Sequence, residues 1–228
     1  MTEKMSFCIA VDGPAGAGKS TIAKMVAKKM DLIYVDTGAM YRAMAYYLIM
    51  QNTDLGDSDE ISQKCRGAQI CIAYENGEQV VLLNGENVNP YLRTEEVGKA
   101  ASISSANGSV RAKLVELQQQ MAEHTDLIMD GRDIGTCVLP NAPLKIYLTA
   151  SSRVRALRRY KELMAKGEDC DLEVIEADII DRDYRDMNRE ISPLKQAEDA
   201  VLLDSSDMTI EEVVDKIISL AMERKKTI

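Results

Sequence analysis

Residues Gly13–Ser20, with the sequence GPAGAGKS, decide the fold, and they follow a continuous apolar run at Ser6–Val11. That run is typical of a buried parallel strand, and the residues from Ser20 to about Met30 have a helical pattern. Glycines let the backbone curl so that successive N–H groups point at one spot, and the positive end of the following helix adds to their field. The stretch therefore predicts an anion-binding loop between a strand and a helix.

The loop matches the pattern G-x-x-x-x-G-K-[ST] at every fixed position, in the strand–loop–helix context that the motif requires. In such loops the lysine, here Lys19, neutralises the β- and γ-phosphates, and the hydroxyl of Ser20 can hold Mg²⁺. A glycine-rich turn that merely starts a helix is the simpler alternative. The motif predicts an ATP site, with Mg²⁺ as cofactor, formed by Gly13, Pro14, Ala15, Gly16, Ala17, Gly18, Lys19, Ser20 and Thr21.

Strand and helix patterns alternate along the chain, which predicts a parallel sheet covered by helices. The expected fold class is α/β, a P-loop NTPase three-layer fold with a central parallel sheet, a small antiparallel insertion and a helical lid. The later strands are predicted at Leu32–Val35, Asp126–Asp130, Leu144–Leu148 and Ala200–Asp204. The later helices are predicted at about 39–50, from Thr94, and at 110–123, 153–165 and 172–189, with a last one after a capping box at Thr209.

An antiparallel hairpin is predicted inside this alternation. Residues Gln69–Val88 alternate between apolar and polar, and Asn76-Gly77 interrupts them with a strong turn signal. A hairpin within an α/β chain indicates an insertion.

The composition argues against several classes of function for this chain. The 228 residues carry a net charge of −9 and a single histidine, His124, which we expect to be a solvated helix-end residue. A negative chain is unsuited to broad binding of a nucleic acid polymer, and one histidine leaves little room for histidine-based metal or nucleophile chemistry. The five cysteines are scattered, which favours buried, reduced thiols. Without a membrane-spanning apolar run or a signal-peptide pattern, we expect a cytoplasmic protein that binds no membrane.

Charged groups follow the second and third predicted core strands, at the edge where ligands gather in open α/β sheets. Asp36, Thr37 and Arg42 follow the second strand. A simple helix N-cap would explain Asp36 or Thr37 but leaves Arg42 without a role. Asp130 ends an apolar strand and is a Walker-B-like candidate for orienting Mg²⁺ through water. Arg132 follows it, and Asp133 projects from the same edge, although a solvated loop is the alternative.

A third charged segment lies near the end of the predicted helix at 172–189. Arg182, Asp186 and Arg189 stand at i, i+4 and i+7, which predicts one shared helix face, and a salt-bridged surface helix is equally consistent with that spacing. Arginines thus come from separated places along the chain, at 42, 132, 153–159 and 182/189. Two phosphate-bearing substrates repel each other, and planar guanidinium groups neutralise phosphate oxygens well. The set predicts phosphoryl transfer to an acceptor that itself bears a phosphate.

Five segments together resemble the bacterial-type cytidylate kinases, and the resemblance runs from Ser6 to the last helix. The segments are GPAGAGKS (13–20), VDTGAMYR (35–42), LRTEEVGKAAS (92–102), MDGRDIGT (129–136) and RDYRDMNR (182–189). The resemblance implies ATP-dependent phosphorylation of CMP and dCMP. The CMP-binding residues that it implies are Asp36, Thr37, Tyr41, Arg42, Ser102, Arg111, Arg132, Asp133, Arg182, Asp186 and Arg189.

The resemblance also assigns roles within this set. The residues implied to clamp the CMP phosphate are Arg42, Arg132 and Arg189. Those implied to read the cytosine edge are Ser102, Arg111 and Asp133, and those implied to contact the sugar are Asp186 and Arg182. The implied catalytic set is Lys19, Arg132 and two arginines of a closing lid, Arg155 and Arg159. Position 37 is a threonine where many relatives have serine, and the hydroxyl is kept.

On this basis we expect one P-loop kinase unit over residues 1–228 and a monomer. The expected core is 1–36, 110–152 and 171–228. The expected monophosphate-binding region is 37–109, with a hairpin insert at about 62–92, and the expected lid is 153–170.

Other P-loop proteins are the competing interpretations. A UMP/CMP kinase of the adenylate kinase type, or a shikimate- or gluconate-kinase relative, lacks the hairpin insertion with LRTEEVGKAAS. A GTPase switch would need an [NT]-K-x-D motif, and a transport ATPase would need an LSGGQ-like signature, and neither motif occurs here.

Overall fold

A computed structural model describes residues 6–75 and 78–226 of the chain. The chain divides into two compact units. The larger comprises the residues up to Tyr34 and from Ala122 onward, and the smaller is Val35–Met121. Residues 110–121, expected in the core, group with the smaller unit, where Lys113 donates to the main-chain carbonyls of Cys65 and Arg66. The prediction of a single kinase unit stays a prediction.

The larger unit is built on a five-stranded sheet. Its strands are β1 (Cys8–Asp12), β2 (Ile33–Asp36, which crosses the unit boundary), β6 (Leu127–Gly131), β7 (Leu144–Thr149) and β8 (Val201–Asp204). Their order in the sheet is β2–β6–β1–β7–β8, and the registered pairs of β1 with β6, β1 with β7 and β7 with β8 are all parallel. The helices are α1 (Lys19–Met30), α6 (Ser152–Ala165), α7 (Leu172–Asn188) and α8 (Ile210–Lys225), with one π-helical turn at Ile134–Val138.

The core of this unit explains why β1 is central. Every residue of β1 is buried, as the continuous apolar run predicts for a strand covered on both faces. Apolar faces of α1 and α8, including Val26 and Ile217, pack in one cluster with Ile9 and Ile146 of the sheet. The cluster anchors β1 and α1, the two elements that the glycine loop connects.

The start of α8 contains the predicted capping box. The Thr209 hydroxyl accepts the main-chain N–H of Glu212, and the Glu212 carboxylate accepts the N–H of Thr209 at 2.8 Å. We expect Thr209→Ala to lower the free energy of unfolding by about 1 kcal/mol, because one helical N–H loses its acceptor. Chemical denaturation measures this loss.

Ser219→Ala is the matched control, because Ser219 is exposed in the interior of the same helix. Alanine favours a helix interior, so this variant should be as stable as the parent or slightly more so. Equal stability of the Thr209→Ala variant and the parent would contradict a stabilising role for the cap.

The smaller unit combines helices with a three-stranded antiparallel sheet whose strands follow chain order. Ala45, Val97 and Ala100 form a small apolar cluster, and the rings of Tyr46 and Tyr91 stack with centroids 5.2 Å apart. The helices are α2 (Thr37–Met50), α3 (Ser58–Lys64), α4 (Glu95–Ser104) and α5 (Gly108–Glu123), and the strands are β3 (Ile70–Glu75), β4 (Glu78–Leu83) and β5 (Glu86–Asn87).

The α/β class and the central parallel sheet are confirmed, and so is the hairpin of β3 and β4, whose register pairs Ile70 with Leu83. The predicted turn residues, 76 and 77, lie outside the described residues. Helix α3 was not predicted, because its seven residues are too few for a clear period, and it begins with Asp57 capping two main-chain N–H groups.

Two detailed expectations are wrong. Helix α7 ends at Asn188, and Arg189 is its C-cap with extended backbone, so the predicted bound of 172–189 is one residue too long. The thiols are not uniformly buried, since Cys71 is exposed on the antiparallel sheet. The expectation for His124 is confirmed, with 86% of its side chain exposed. No helix in the described part of the chain is both long and apolar enough to cross a membrane.

Candidate active site

The glycine loop after β1 has a backbone that only glycine accommodates well. Gly13 has φ +147°, and a Cβ there would lie 1.9 Å from the main-chain oxygen of Leu148. Gly16 has φ +75°, in the left-handed region. Gly16, Ser20 and Thr21 are exposed, whereas the residues between β1 and Gly16 are buried. The loop therefore presents main-chain and hydroxyl groups at the surface of a fixed turn.

Lys19 is the buried cation of this loop. Its ammonium group donates to the main-chain oxygens of Gly13 and Pro14, both at 2.8 Å, and the residue is 5% exposed. Burial lowers the pKa of Lys19 to about 7, and the nearby cation of Arg132 acts in the same direction, while Asp130 opposes it. An ammonium group in this environment gains strongly from an added anion.

Ser20 and Asp130 meet at the carboxyl end of β6. The Ser20 hydroxyl donates to one carboxylate oxygen of Asp130 at 2.9 Å, and the hydroxyl of Tyr34 donates to the other at 2.8 Å. A hydroxyl and a carboxylate are oxygen ligands of the kind that Mg²⁺ prefers, and Mg²⁺ keeps several waters when it binds to few protein groups. The donor set fits the predicted metal site.

Asp12, the last residue of β1, connects the glycine loop to the turn after β6. Its two carboxylate oxygens accept the main-chain N–H groups of Ile134 and Gly135 at 2.8 and 2.7 Å. Burial raises the pKa of Asp12 to about 6, although both hydrogen bonds favour the carboxylate. This carboxylate fixes the start of the π-helical turn that follows Arg132 and Asp133.

Arg132 and Asp186 form a largely buried ion pair in the larger unit. The Arg132 Nε donates to Asp186 Oδ2 at 2.8 Å. Burial acts to raise the pKa of Asp186, but the charge and hydrogen bond of Arg132 outweigh it and hold that pKa below its usual range. The same pair raises the pKa of Arg132 against the effect of burial, so both groups stay charged.

Arg189 lies close to Asp133. The two side chains are 9% and 6% exposed, and the Arg189 NH2 is 3.6 Å from Asp133 Oδ1. The Nε of Arg189 donates to the main-chain oxygen of Ser192 at 2.7 Å. Two predicted phosphate-clamping arginines of this unit are thus each paired with a predicted CMP-binding carboxylate.

The predicted lid arginines differ sharply in their surroundings. Arg155 is buried and makes three hydrogen bonds, to the main-chain oxygens of Ala150 and Ala15 at 2.8 Å and to Asp183 at 2.6 Å. Arg159 is about half exposed and pairs with Glu162 on its own helix. Of the other arginines in this run, Arg153 binds two glutamates of α7 and Arg158 binds Ser205.

In the smaller unit, Asp36 both caps helix α2 and pairs with Arg42. One carboxylate oxygen caps α2 by accepting the N–H of Ala39 at 2.9 Å, and the other lies 3.2 Å from the Arg42 NH2. Arg42 is therefore oriented by the residue that begins its helix. Thr37, the first residue of the helix, is buried.

The predicted cytosine-reading residues of the smaller unit also lie near one another. Arg111 is buried, with its guanidinium 5.6 Å from the ring centroid of Tyr41, and it donates to the main-chain oxygen of Ser105. The hydroxyl of Ser105 in turn donates to the main-chain oxygen of Ser102. Tyr41, Ser102 and Arg111 thus belong to one neighbourhood.

Sequence reasoning missed three residues that the structure brings to the site, namely Asp12, Tyr34 and Asp183. Asp12 could have been found, because a carboxylate that ends a buried strand directly before the glycine loop needs a partner. Tyr34 gives no signal, since it reads as an ordinary strand residue. Asp183 lies within the charged segment at 182–189, but the i, i+4, i+7 pattern does not select it.

A family profile and two similar proteins of known sequence are all described as cytidylate kinases. The sequence profile of the family described as cytidylate kinase matches residues 9–223. A cytidylate kinase of Ligilactobacillus salivarius (strain UCC118) is 50% identical over 216 residues, which cover 95% of this chain and 96% of that protein. A cytidylate kinase of Bacillus subtilis (strain 168) is 46% identical over 225 residues and 99% of both chains.

A solved structure supports the fold. An uncharacterized protein from Eubacterium ventriosum ATCC 27560 aligns over 95% of this chain and 99% of its own, with a TM-score of 0.52 at 11% sequence identity.

Proposed function

The chain belongs to the cytidylate kinase family, and we propose that it transfers the γ-phosphoryl group of ATP to CMP and dCMP with Mg²⁺ as the metal cofactor. The observation that carries the proposal is the loop Gly13–Ser20, with the buried ammonium group of Lys19 inside it and Ser20 bonded to Asp130. The family match identifies the acceptor, which the loop alone does not. The predictions of a monomer and of a cytoplasmic location stay predictions.

We propose that the donor nucleotide binds along the loop, with its phosphate oxygens accepting the exposed main-chain N–H groups. Lys19 would then exchange its bonds to the carbonyls of Gly13 and Pro14 for contacts to the β- and γ-phosphates. Ser20 and Asp130 would hold Mg²⁺, Asp130 through water. The chemistry that Mg²⁺ would supply there is neutralisation of the negative charge on the phosphates.

The acceptor requires no general base. A phosphate monoester has a second pKa of about 6, so CMP is already largely dianionic at neutral pH. The obstacle to reaction is instead the repulsion between two anionic substrates. Alignment and neutralisation by guanidinium groups overcome it, which suits a chain with a single, exposed histidine.

In the larger unit, we propose Arg132 and Arg189 as ligands of the CMP phosphate. Support comes from their burial beside Asp186 and Asp133, and from the hydrogen bonds to Asp186 and to the Ser192 carbonyl that orient the two guanidinium groups. Asp133 would also read the cytosine edge, and Asp186, with Arg182, would contact the sugar.

In the smaller unit, we propose Arg42 as a further phosphate ligand, with Asp36, Thr37 and Tyr41 beside it. Asp36 orients Arg42 from the start of α2. For cytosine recognition we propose two residues of the neighbourhood described above, Ser102 and Arg111.

We propose that Arg155 and Arg159 act on the transferring phosphoryl group. Arg159 is half exposed, so its guanidinium can reorient, and lid closure over the nucleotides would exclude water and suppress ATP hydrolysis. Three N–H groups of Arg155 already bind protein acceptors, so its contribution depends on the remaining N–H groups.

A coupled ADP-release assay with ATP and each of CMP, dCMP, UMP and AMP tests the proposed function. We expect strong turnover with CMP and dCMP. Equal turnover with UMP would favour the UMP/CMP type of kinase, and activity confined to AMP would overturn the proposal.

Asp186→Ala should reduce kcat/KM for CMP and for dCMP alike, by about tenfold or more, because Arg132 loses its charged partner while it stays buried. Steady-state kinetics with both nucleotides measures the effect. Asp178→Ala, an exposed residue of the same helix, is the control and should leave both values unchanged. A loss with CMP alone would instead place the contact at the 2′-hydroxyl.

A further inference from the structure

The buried pair of Arg155 and Asp183 connects α6 and α7 to the glycine loop. The Arg155 NH2 donates to Asp183 Oδ2 at 2.6 Å, and its NH1 donates to the main-chain oxygen of Ala15, inside the loop, at 2.8 Å. The two side chains are 6% and 12% exposed. The aliphatic part of Arg155 also lies against the loop, because a Cβ on Gly16 would be 3.4 Å from the Cβ of Arg155.

The bond to Ala15 has a consequence for the next residue. In a trans peptide the C=O of one residue and the N–H of the following residue point in opposite directions. Because the Ala15 carbonyl points at Arg155, the N–H of Gly16 points away from it. Gly16 is exposed while Ala15 is buried, as an N–H of Gly16 that faces the accessible side of the loop requires.

The stability of the fold does not by itself explain why the chain buries the Arg155–Asp183 ion pair. Asp183 Oδ1 is buried and accepts no hydrogen bond from the described residues, so the carboxylate is desolvated without full compensation. Buried ion pairs with an unsatisfied oxygen contribute little net stability, since the desolvation of both charges offsets their attraction. Orientation of the Arg155 guanidinium is the effect that the geometry does provide.

We propose that Asp183 is a positioning residue for ATP. It holds the guanidinium of Arg155 against the carbonyl of Ala15 and thereby aims the N–H of Gly16 at a phosphate oxygen. The inference deepens the proposed function and rests on it. Asp183 and Asp186 lie one turn apart on the buried face of α7, so the helix orients Arg155 for the donor site and Arg132 for the acceptor site.

The test compares Asp183→Asn with Glu173→Gln. Glu173 also joins α7 to α6, through Arg153 at 2.8 Å, but this pair is exposed and has no bond to the loop. For Asp183→Asn we expect KM for ATP to rise by about tenfold or more, the factor carried by one hydrogen bond to a charged group, with KM for CMP within about twofold. Glu173→Gln should leave both values unchanged.

A spectroscopic measurement makes the test independent of turnover. In ¹⁵N-labelled protein, Asp183→Asn should shift the Gly16 amide resonance and weaken binding of a non-hydrolysable ATP analogue, and Glu173→Gln should do neither. Arg155→Lys should reproduce the binding defect, and the double variant should bind no more weakly than Arg155→Lys alone, because both changes break one chain of contacts.

Three results would overturn the inference. They are equal effects of Asp183→Asn and Glu173→Gln, a rise in KM for CMP as large as that for ATP, and an unmoved Gly16 resonance in a folded Asp183→Asn protein. Failure of the proposed function is a separate result, seen as the absence of CMP-dependent ADP release by the unmodified chain, and the amide shift and analogue binding still report on Asp183 in that case.

Discussion

Lys19→Ala should abolish phosphoryl transfer and leave the fold intact, with kcat reduced by at least about 100-fold, as for the loss of one preorganised donor to a developing charge. The ammonium group is buried within the loop that we propose for ATP, and burial lowers its pKa to about 7. Because this charged group is desolvated in the free protein, it should gain much electrostatic stabilisation when phosphate oxygens replace the carbonyls of Gly13 and Pro14.

The fold should survive this substitution for the same reason. The side chain contributes two hydrogen bonds, but its desolvation works against it, so the free energy of unfolding should change little. ADP release and thermal unfolding measure the two effects separately. Lys28→Ala is the control, since Lys28 is an exposed residue in the last turn of the same helix and should retain full turnover. Near-normal turnover of Lys19→Ala would remove the basis for the ATP site.

The sequence predicts the core of the fold because the core depends on local patterns. The apolar run of β1, the glycine loop and the capping box at Thr209 are each specified by adjacent residues, and each occurs as expected. The antiparallel strands are specified in the same way, by alternation over Gln69–Val88. Helix α3 escapes prediction because seven residues give too little periodicity.

The candidate site is less predictable, because its contacts join residues that are distant in sequence. Asp130 could be found from its place at the end of a strand, but its partner Tyr34 lies 96 residues away. Spacing suggested that Arg189 belongs to a helix face, whereas the chain leaves the helix one residue earlier and bonds Arg189 to Ser192. Asp183 and Asp186 are both aspartates of the charged segment at 182–189. Only their separate partners in the structure, Arg155 and Arg132, distinguish them.

Arg189→Ala should lower kcat/KM for CMP by more than about 100-fold, which corresponds to roughly 3 kcal/mol of lost transition-state stabilisation. The guanidinium is 9% exposed and lies beside Asp133, so a phosphate that binds there would meet a desolvated cation whose orientation is fixed by the Ser192 carbonyl. KM for ATP should stay within about twofold, because the proposed donor loop keeps its own cation, Lys19.

Two further variants complete the test, a control for nearby charge and a variant that separates charge from geometry at residue 189. Lys195→Ala removes an exposed cation a few residues away and should be silent. Arg189→Lys keeps the charge but loses the planar fork, so its kcat/KM should fall between those of Arg189→Ala and the parent. Full activity of Arg189→Lys would reduce the role of residue 189 to a point charge. An unchanged kcat/KM for CMP in Arg189→Ala would remove this residue from the proposed phosphate clamp, because a buried cation that contacts the acceptor cannot be lost without cost.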